Sequence, residues 1–247
     1  EVLYHCFHVS CRLNGKFGKT LKALGIGTGD EVITVGHTYI ASIDVIIHSG
    51  AKPVLVDIRY DFNINPYLIE KEITPKTKAI LVVHLNGRMT QMGIITDIAK
   101  RHSLLILEDA AQALGATYQG KPAGSWGIAG CFSFYPAKVL GSYGEGGTIV
   151  TNDKKLADKL FYLRDHGEAP SYRSEKNKKI HFWGYNTIMD NVQAAVLNVK
   201  MKYLQSWIKR RVTIATKYSR FLSRLEEDGF IEKPFIGTGD VFQNYVI

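Results

Sequence analysis

Short apolar runs alternate with amphipathic stretches between about residue 17 and residue 163. The runs are strand-sized and rich in Val, Ile and Leu, which is typical of strands buried on both faces. They predict strands at 31–35, 53–57, 79–84 and 104–108, and the stretches around them predict helices at 18–24, 41–49, 66–73 and 92–102. Strands separated by helices of this length indicate βαβ crossovers and a mostly parallel sheet.

The pattern changes after residue 128. It predicts closely spaced strands at 129–134 and 147–152, a helix at 154–166, a loop at 168–183, helices at 190–207 and 212–227, and a strand at 241–247. The last strand has no later partner in the sequence. We therefore expect a large α/β domain at 1–205, followed at 206–247 by a linking helix and the truncated beginning of a small C-terminal α+β domain.

Composition excludes several classes of protein. The chain has 247 residues, of which 45% are hydrophobic and 22% charged, so collagen-like and wholly disordered interpretations fail. Cys6, Cys11 and Cys131 cannot pair completely and form no ligand cluster, which favours a reducing, cytoplasmic setting and disfavours a structural metal site.

No apolar run approaches the length of a membrane-spanning helix, and no signal peptide is visible. Because the first residue is Glu1, we expect the natural N-terminus to lie upstream.

The net charge of +8 lies mainly in the second part of the chain. Residues 1–150 carry 14 Lys and Arg against 12 Asp and Glu, whereas residues 151–247 carry 17 against 11. The basic residues are interspersed with acids and form no nucleic-acid-binding module. A solvated basic face is the simplest interpretation, and an anionic small-molecule partner is the favoured functional one.

A glycine-rich stretch, Gly25 to Gly29, superficially resembles a dinucleotide-binding fingerprint. That fingerprint requires a strand before the glycines and a helix after them. Here a predicted helix precedes the glycines and a predicted strand follows. The stretch is therefore interpreted as a helix end and turn, which disfavours a Rossmann oxidoreductase.

Two candidate sites lie where predicted strands end. Glu108 and Asp109 end one strand, and Gln112 follows three residues after Asp109. The carboxyl ends of strands are where α/β sheets bind ligands, although such an acid can equally cap the next segment. Ser133 and Lys138 follow another strand, next to a glycine-rich stretch.

A lysine on such a turn is usually solvated, but one in a partly desolvated pocket suits Schiff-base chemistry. Pyridoxal phosphate needs this lysine, a carboxylate on its pyridine nitrogen, phosphate donors and a flat residue over its ring. Lys138, Asp109, Ser133 and Tyr39 provide such a set.

Consecutive motifs carry a family resemblance over nearly the whole chain, from about residue 21 to the end. The chain resembles the pyridoxal-phosphate-dependent sugar aminotransferases of the DegT/DnrJ/StrS family. The resemblance implies a three-layer α/β/α sandwich with a mostly parallel central sheet, the type I fold of these transferases. The motifs that carry it are residues 29–33, 38–41, 50–53, 73–80, 108–112, 132–138, 144–147, 164–167 and 184–186.

The resemblance also implies roles for individual residues. Lys138 would bind the cofactor as a Schiff base and carry protons, and Asp109 would keep the pyridine nitrogen protonated. Gln112 would bond the ring hydroxyl or its surroundings, Ser133 would bind the phosphate, and Tyr39 would stack on the ring. From the other subunit of a homodimer, Asn186 would reach the phosphate. The role of His166 is left open, since a structural histidine at a helix end fits equally well.

The implied reaction moves an amino group, from L-glutamate as the expected donor, to a keto carbon of a nucleotide-linked deoxysugar. Such a reaction would serve amino sugar biosynthesis for a surface polysaccharide or a secondary metabolite. No nucleic acid or membrane partner is expected.

The sequence departs from the family pattern at three places. The phosphate-binding turn of the family is replaced near Arg12 to Asn14, Ile188 stands where a basic residue is common, and Asn86 where an aromatic is common. These departures leave open a catalytically impaired or truncated homologue that keeps the fold and the dimer interface. A sugar dehydratase on the same fold is disfavoured because those enzymes replace the lysine that is intact here as Lys138.

Overall fold

The computed structural model describes residues 5–9, 13–168, 180 and 182–247. Its strands are β1 (His5–Val9), β2 (Glu31–Val35), β3 (Lys52–Val56), β4 (Thr77–Val83), β5 (Leu105–Asp109), β6 (Thr117–Tyr118), β7 (Lys121–Pro122), β8 (Ala129–Ser133) and β9 (Gly147–Thr151). Its α-helices are α1 (Leu13–Leu24), α2 (Ala41–His48), α3 (Pro66–Ile69), α4 (Met92–Arg101), α5 (Lys154–Arg164), α6 (Asn191–Met201), α7 (Leu204–Phe221) and α8 (Ser223–Glu227).

Seven strands form one sheet in the order β1-β9-β8-β5-β4-β2-β3. The pairs from β8 through β5, β4 and β2 to β3 are parallel, while β9 pairs antiparallel with both β1 and β8. The step from β2 to β3 and the step from β4 to β5 run in opposite directions across the sheet. Because such crossovers are right-handed, α2 lies on one face and α4 on the other, which confirms the α/β fold with helices flanking a mostly parallel sheet.

The sheet is the centre of the hydrophobic core. Every residue of β2, β8 and β9 is buried, as expected for strands covered on both faces. Helix α1 packs against α2 and α5. The turn at Gly25 lies between α1 and β2, so the rejection of a dinucleotide fingerprint is confirmed. None of the described helices is both long enough and apolar enough to cross a bilayer.

Most predicted elements agree with the structure to within a few residues, but three predictions are wrong. The helix predicted at 66–73 is a single α-helical turn followed by a 3-10 turn at Glu70–Glu72. The helix predicted at 190–207 ends at Met201, and the next begins at Leu204, earlier than predicted. The predicted strand at 241–247 is irregular, because Phe242 has a positive φ of 50° that breaks the extended backbone.

Two other features bear on the predictions. The two-stranded ribbon of β6 and β7 and the edge strand β1 have no counterpart among the predicted elements. Most of the predicted loop at 168–183, and the Cys11 and Arg12 part of the departing segment, lie outside the described residues.

Candidate active site

A cavity of about 460 Å³ opens at the carboxyl edge of the parallel strands. The carboxyl ends of β4, β5 and β8 line this cavity, together with the turn before α2, the turn after β8 and the C-terminal segment. It brings together five of the six residues predicted for cofactor binding: Tyr39, Asp109, Gln112, Ser133 and Lys138. Its other lining residues include His84, Tyr135, Glu145, Gln243 and Asn244.

Asp109 is the buried acid of this cavity, with 3% of its surface exposed. Ser42 Oγ donates a 2.7 Å hydrogen bond to Asp109 Oδ2, and the Ala111 N–H donates a 3.1 Å bond to Oδ1. Thr38 Oγ1 lies 3.1 Å from Ser42 Oγ and continues this chain to the cavity. Burial raises the pKa of Asp109, and the bonds from Ser42 and Ala111 and the nearby charge of Lys138 oppose the rise.

Lys138 is the cavity's lysine and lies half-buried on the turn after β8. Its backbone N–H donates to the Tyr135 carbonyl at 2.9 Å, which closes the turn. Desolvation lowers the pKa of the Lys138 amine, and the charge of Asp109 partly offsets this effect. An amine with a lowered pKa is more often unprotonated at neutral pH, which is the state that attacks a carbonyl group.

Glu108, next to Asp109, has a different role because successive strand residues point to opposite faces. Its carboxylate is fully buried and accepts hydrogen bonds of 2.6–2.7 Å from the backbone N–H groups of Gly124, Trp126 and Gly127. The structure thus assigns different roles to two neighbouring acids whose roles the sequence left undecided. Glu108 anchors a loop, and Asp109 faces the cavity.

His84 is a buried cavity residue that the sequence analysis did not single out. The Thr90 N–H donates to His84 Nδ1 at 3.3 Å, so Nε2 is the nitrogen that donates to Glu108 Oε2 at 3.1 Å. Its position directly after β4, beside the end of β5, is the signal that could have found it.

The remaining predicted ligands differ in how they are held. Gln112 Oε1 accepts a 2.7 Å bond from the Asn86 N–H, so its amide nitrogen is the donor suited to a ring hydroxyl. Ser133 Oγ accepts a 3.3 Å bond from the Tyr135 N–H and keeps its own hydroxyl proton for a ligand. Tyr39 is 66% exposed and forms an aromatic wall of the cavity.

Asn186 and His166 do not line the cavity. Asn186 is exposed and forms an isolated antiparallel bridge with Asp165. His166 has a φ of 50°, and its N–H donates to the Tyr185 carbonyl at 3.0 Å. A role for Asn186 in this chain's own cavity is therefore not supported, and its predicted role in a partner's site stays a prediction.

These residues fit pyridoxal phosphate. The cavity offers a lysine with a lowered pKa, a buried carboxylate held by two hydrogen bonds, a serine hydroxyl and an aromatic side chain. Asp109 and Lys138 are near enough for the charge of each to affect the pKa of the other.

Comparisons with known proteins agree with this assignment. Residues 18–243 match the model of the DegT/DnrJ/EryC1/StrS aminotransferase family. The chain is 46% identical over 229 residues to a pleiotropic regulatory protein of Geobacillus stearothermophilus, covering 92% of this chain and 60% of the relative. It is 45% identical over 206 residues to dTDP-3-amino-3,4,6-trideoxy-alpha-D-glucose transaminase of Streptomyces venezuelae, covering 83% and 53%. The chain thus spans little more than half the length of these relatives.

Solved structures show the same fold. A crystal structure of S. venezuelae DesV in complex with a ketimine intermediate superposes with a TM-score of 0.86 at 39% identity, over 97% of this chain and 63% of that one. The structure of NtdA from Bacillus subtilis with bound cofactor PMP has a TM-score of 0.87 at 36% identity, over 97% and 54%. The resemblance seen in the sequence is confirmed: the chain belongs to the DegT/DnrJ/EryC1/StrS aminotransferase family.

Proposed function

We propose that the protein is a pyridoxal-phosphate-dependent aminotransferase that moves an amino group from an amino acid, L-glutamate as the expected donor, to a keto carbon of a nucleotide-linked sugar. The observation that carries the proposal is the pairing of Lys138 and Asp109 in one cavity at the carboxyl edge of the sheet. The named activity of the S. venezuelae transaminase supports the sugar substrate.

Each residue has a defined task in this reaction. When bound, pyridoxal phosphate supplies an aldehyde carbon and a ring that accepts electrons. Asp109 would accept a hydrogen bond from the ring nitrogen and keep that nitrogen protonated. Lys138 would hold the cofactor through its aldehyde carbon, with the aldehyde oxygen leaving as water. Once the amine of the amino donor has replaced it there, the freed Lys138 amine would accept the proton from the carbon next to the donor's amino group. Tyr39 would pack on the ring, Ser133 would donate to the phosphate and Gln112 would donate to the ring hydroxyl.

The net charge of +8 supports a diphosphate-bearing substrate, because a positive field raises the local concentration of anions. The proposal includes a place in amino sugar biosynthesis, for a surface polysaccharide or a secondary metabolite, and a cytoplasmic setting. The boundary of the large domain near residue 205 is also part of it.

A homodimer with shared active sites is a further part of the proposal. Several large apolar side chains are highly exposed on this chain, among them Tyr143, Trp183 and Val192 at 75%, 84% and 68%. Contiguous apolar patches are typical of surfaces that bind another protein, and the Tyr143 N–H donates to Gln193, the neighbour of Val192, at 2.8 Å. Asn186, three residues from Trp183, belongs to the same part of the chain and would reach the partner's cofactor.

The half-reaction with an amino donor tests the proposed function. The chain is loaded with pyridoxal phosphate and mixed with L-glutamate, and released 2-oxoglutarate is measured. We expect one equivalent per bound cofactor, and none from a Lys138→Ala variant. A chain that binds the cofactor but releases no keto acid with any amino donor would instead support the impaired homologue.

A further inference from the structure

The side chain of Gln243 bridges the two backbone groups on either side of Lys138. Gln243 Nε2 donates a 3.0 Å hydrogen bond to the Ala137 carbonyl, and the Val139 N–H donates a 3.0 Å bond to Gln243 Oε1. An amide that donates with one arm and accepts with the other fixes both the position and the rotation of the backbone between its partners. That backbone is the one that carries Lys138.

Gln243 is itself held in place by contacts with helix α7 and with the turn at Gly87. Arg211, on α7, donates to the carbonyls of Phe242 and Gln243 at 3.1 and 3.3 Å. The Val241 N–H donates to the Gly87 carbonyl at 2.9 Å. Gly87 allows this close crossing, since a Cβ there would lie only 2.7 Å from the Gln243 nitrogen.

Phe242 is buried and has a φ of 50°, a left-handed conformation that is unfavourable for a bulky residue. Unfavourable backbone conformations persist only where surrounding contacts maintain them, and they cluster at functional sites. Here the left-handed residue comes directly before Gln243, whose side chain reaches the Lys138 turn.

The same segment also bonds to the turn that follows β4. Asn244 Nδ2 donates to Asn86 Oδ1 at 3.0 Å, and the Asn86 N–H donates to Gln112. Both Gln243 and Asn244 line the cavity, more than 100 residues along the chain from Lys138. The C-terminal segment is therefore part of the site's construction rather than a neighbour of it.

We propose that Gln243 is a positioning residue, which holds the turn of Lys138 so that the amine stays desolvated and directed into the cavity. This inference rests on the proposed function, because the turn needs such control only if Lys138 reacts. Without the two bonds the turn is free to move, and the Lys138 amine becomes more hydrated. Condensation of the amine with the aldehyde of pyridoxal phosphate, in which the aldehyde oxygen leaves as water, then slows, and its pH dependence moves to higher pH.

The test compares the whole chain with a Gln243→Met variant, which keeps the length of the side chain and removes both hydrogen bonds. The rate of visible absorbance change on mixing with pyridoxal phosphate is measured across pH. We expect the rate at neutral pH to fall about tenfold or more, and the pH of half-maximal rate to rise. A Gln119→Met variant, the same change at an exposed glutamine outside the cavity, serves as the matched control and should match the wild type.

A role limited to folding would lower the folded fraction without moving the pH of half-maximal rate, and that result would overturn the inference. So would an unchanged rate. If the Gln243→Met chain does not fold, Gln243→Leu is used, which is uncharged and equally unable to form either hydrogen bond. An amide hydrogen exchange measurement on ligand-free chains adds an independent readout, in which Val139 should lose protection. Absence of capture by the wild type itself would refute the proposed function, which makes the two failures distinguishable.

Discussion

At the scale of single residues, Ser42 links Asp109 to the hydroxyl of Thr38. A hydrogen bond to a charged group contributes about 1.5–3 kcal/mol. We expect Ser42→Ala to weaken pyridoxal phosphate binding by roughly tenfold to a hundredfold, because Asp109 loses a donor that favours its charged form. Fluorescence or absorbance titration measures the dissociation constant.

The control is Ser49→Ala on the other end of the same helix, where Oγ donates to the Ile46 carbonyl. Equal dissociation constants for the two variants would contradict the role of Ser42.

Asp109 itself predicts a pH dependence of stability. Its pKa in the folded chain is raised above the ordinary value of 3.8, so the folded state binds the proton more tightly than the unfolded state does. The stability from this group is present in full below pH 3.8 and is lost as the pH rises through the raised pKa.

An Asp109→Asn chain does not lose stability in this way as the pH rises, because asparagine does not titrate. We expect this variant to be more stable than the ligand-free wild type at pH 8. The difference in unfolding free energy should shrink as the pH falls toward 4, by about 1.4 kcal/mol for each pH unit between the raised pKa and the ordinary one. Thermal unfolding across pH measures the difference. Asp158→Asn, at an exposed acid paired with Lys154, should show no such trend. A difference that grows toward low pH would contradict the argument.

At the scale of secondary structure, the Glu108 carboxylate connects β5 to the loop at 124–127. A Glu108→Gln side chain has one oxygen for three backbone donors and turns an amide toward at least one of them. We expect the variant to lose about 3 kcal/mol of unfolding free energy, since a buried donor is left unpaired. Urea unfolding measures the loss. Glu70→Gln, at an exposed acid that pairs with Arg101, should have a much smaller effect. Similar losses for both variants would show that Glu108 is not an anchor.

Elements whose ends are marked by a glycine or a polar turn were predictable from the sequence, and the others were not. Strands β2 and β4 are nearly continuous apolar runs, and a glycine or a polar turn marks their ends. The break between α6 and α7 falls at Lys202 and Tyr203, where neither glycine nor proline marks it. The segment at 241–247 has strand-like apolar positions, but Val241 and Phe242 are buried against other parts of the chain.

Much of the candidate site was also predictable, because its residues follow strands within short motifs. Tyr39, Asp109, Gln112, Ser133 and Lys138 reach one cavity since the ends of parallel strands meet at one edge. Ser42, His84 and Gln243 were missed. Their roles come from hydrogen bonds between positions far apart in sequence, which hydrophobic periodicity does not show.

At the scale of the whole molecule, the shared active site predicts complementation between two inactive chains. A hybrid of Lys138→Ala and Asn186→Ala chains has one site with both residues intact. In a statistical mixture about half of the dimers are hybrids, so about a quarter of the wild-type sites should return. Release of 2-oxoglutarate from L-glutamate measures them. Each variant alone is the control. A mixture no more active than the mean of the two variants would contradict an exchange of Asn186 between subunits.

The central claim is that Lys138 binds the cofactor. The chain is incubated with pyridoxal phosphate, reduced with borohydride and digested, and the labelled peptide is identified by mass spectrometry. We predict one label per chain on Lys138, none in Lys138→Arg, and an unchanged label in Lys121→Arg, whose lysine lies over the Trp126 ring outside the cavity. A label on another lysine, no label at all, or a label that persists in Lys138→Arg would contradict the account.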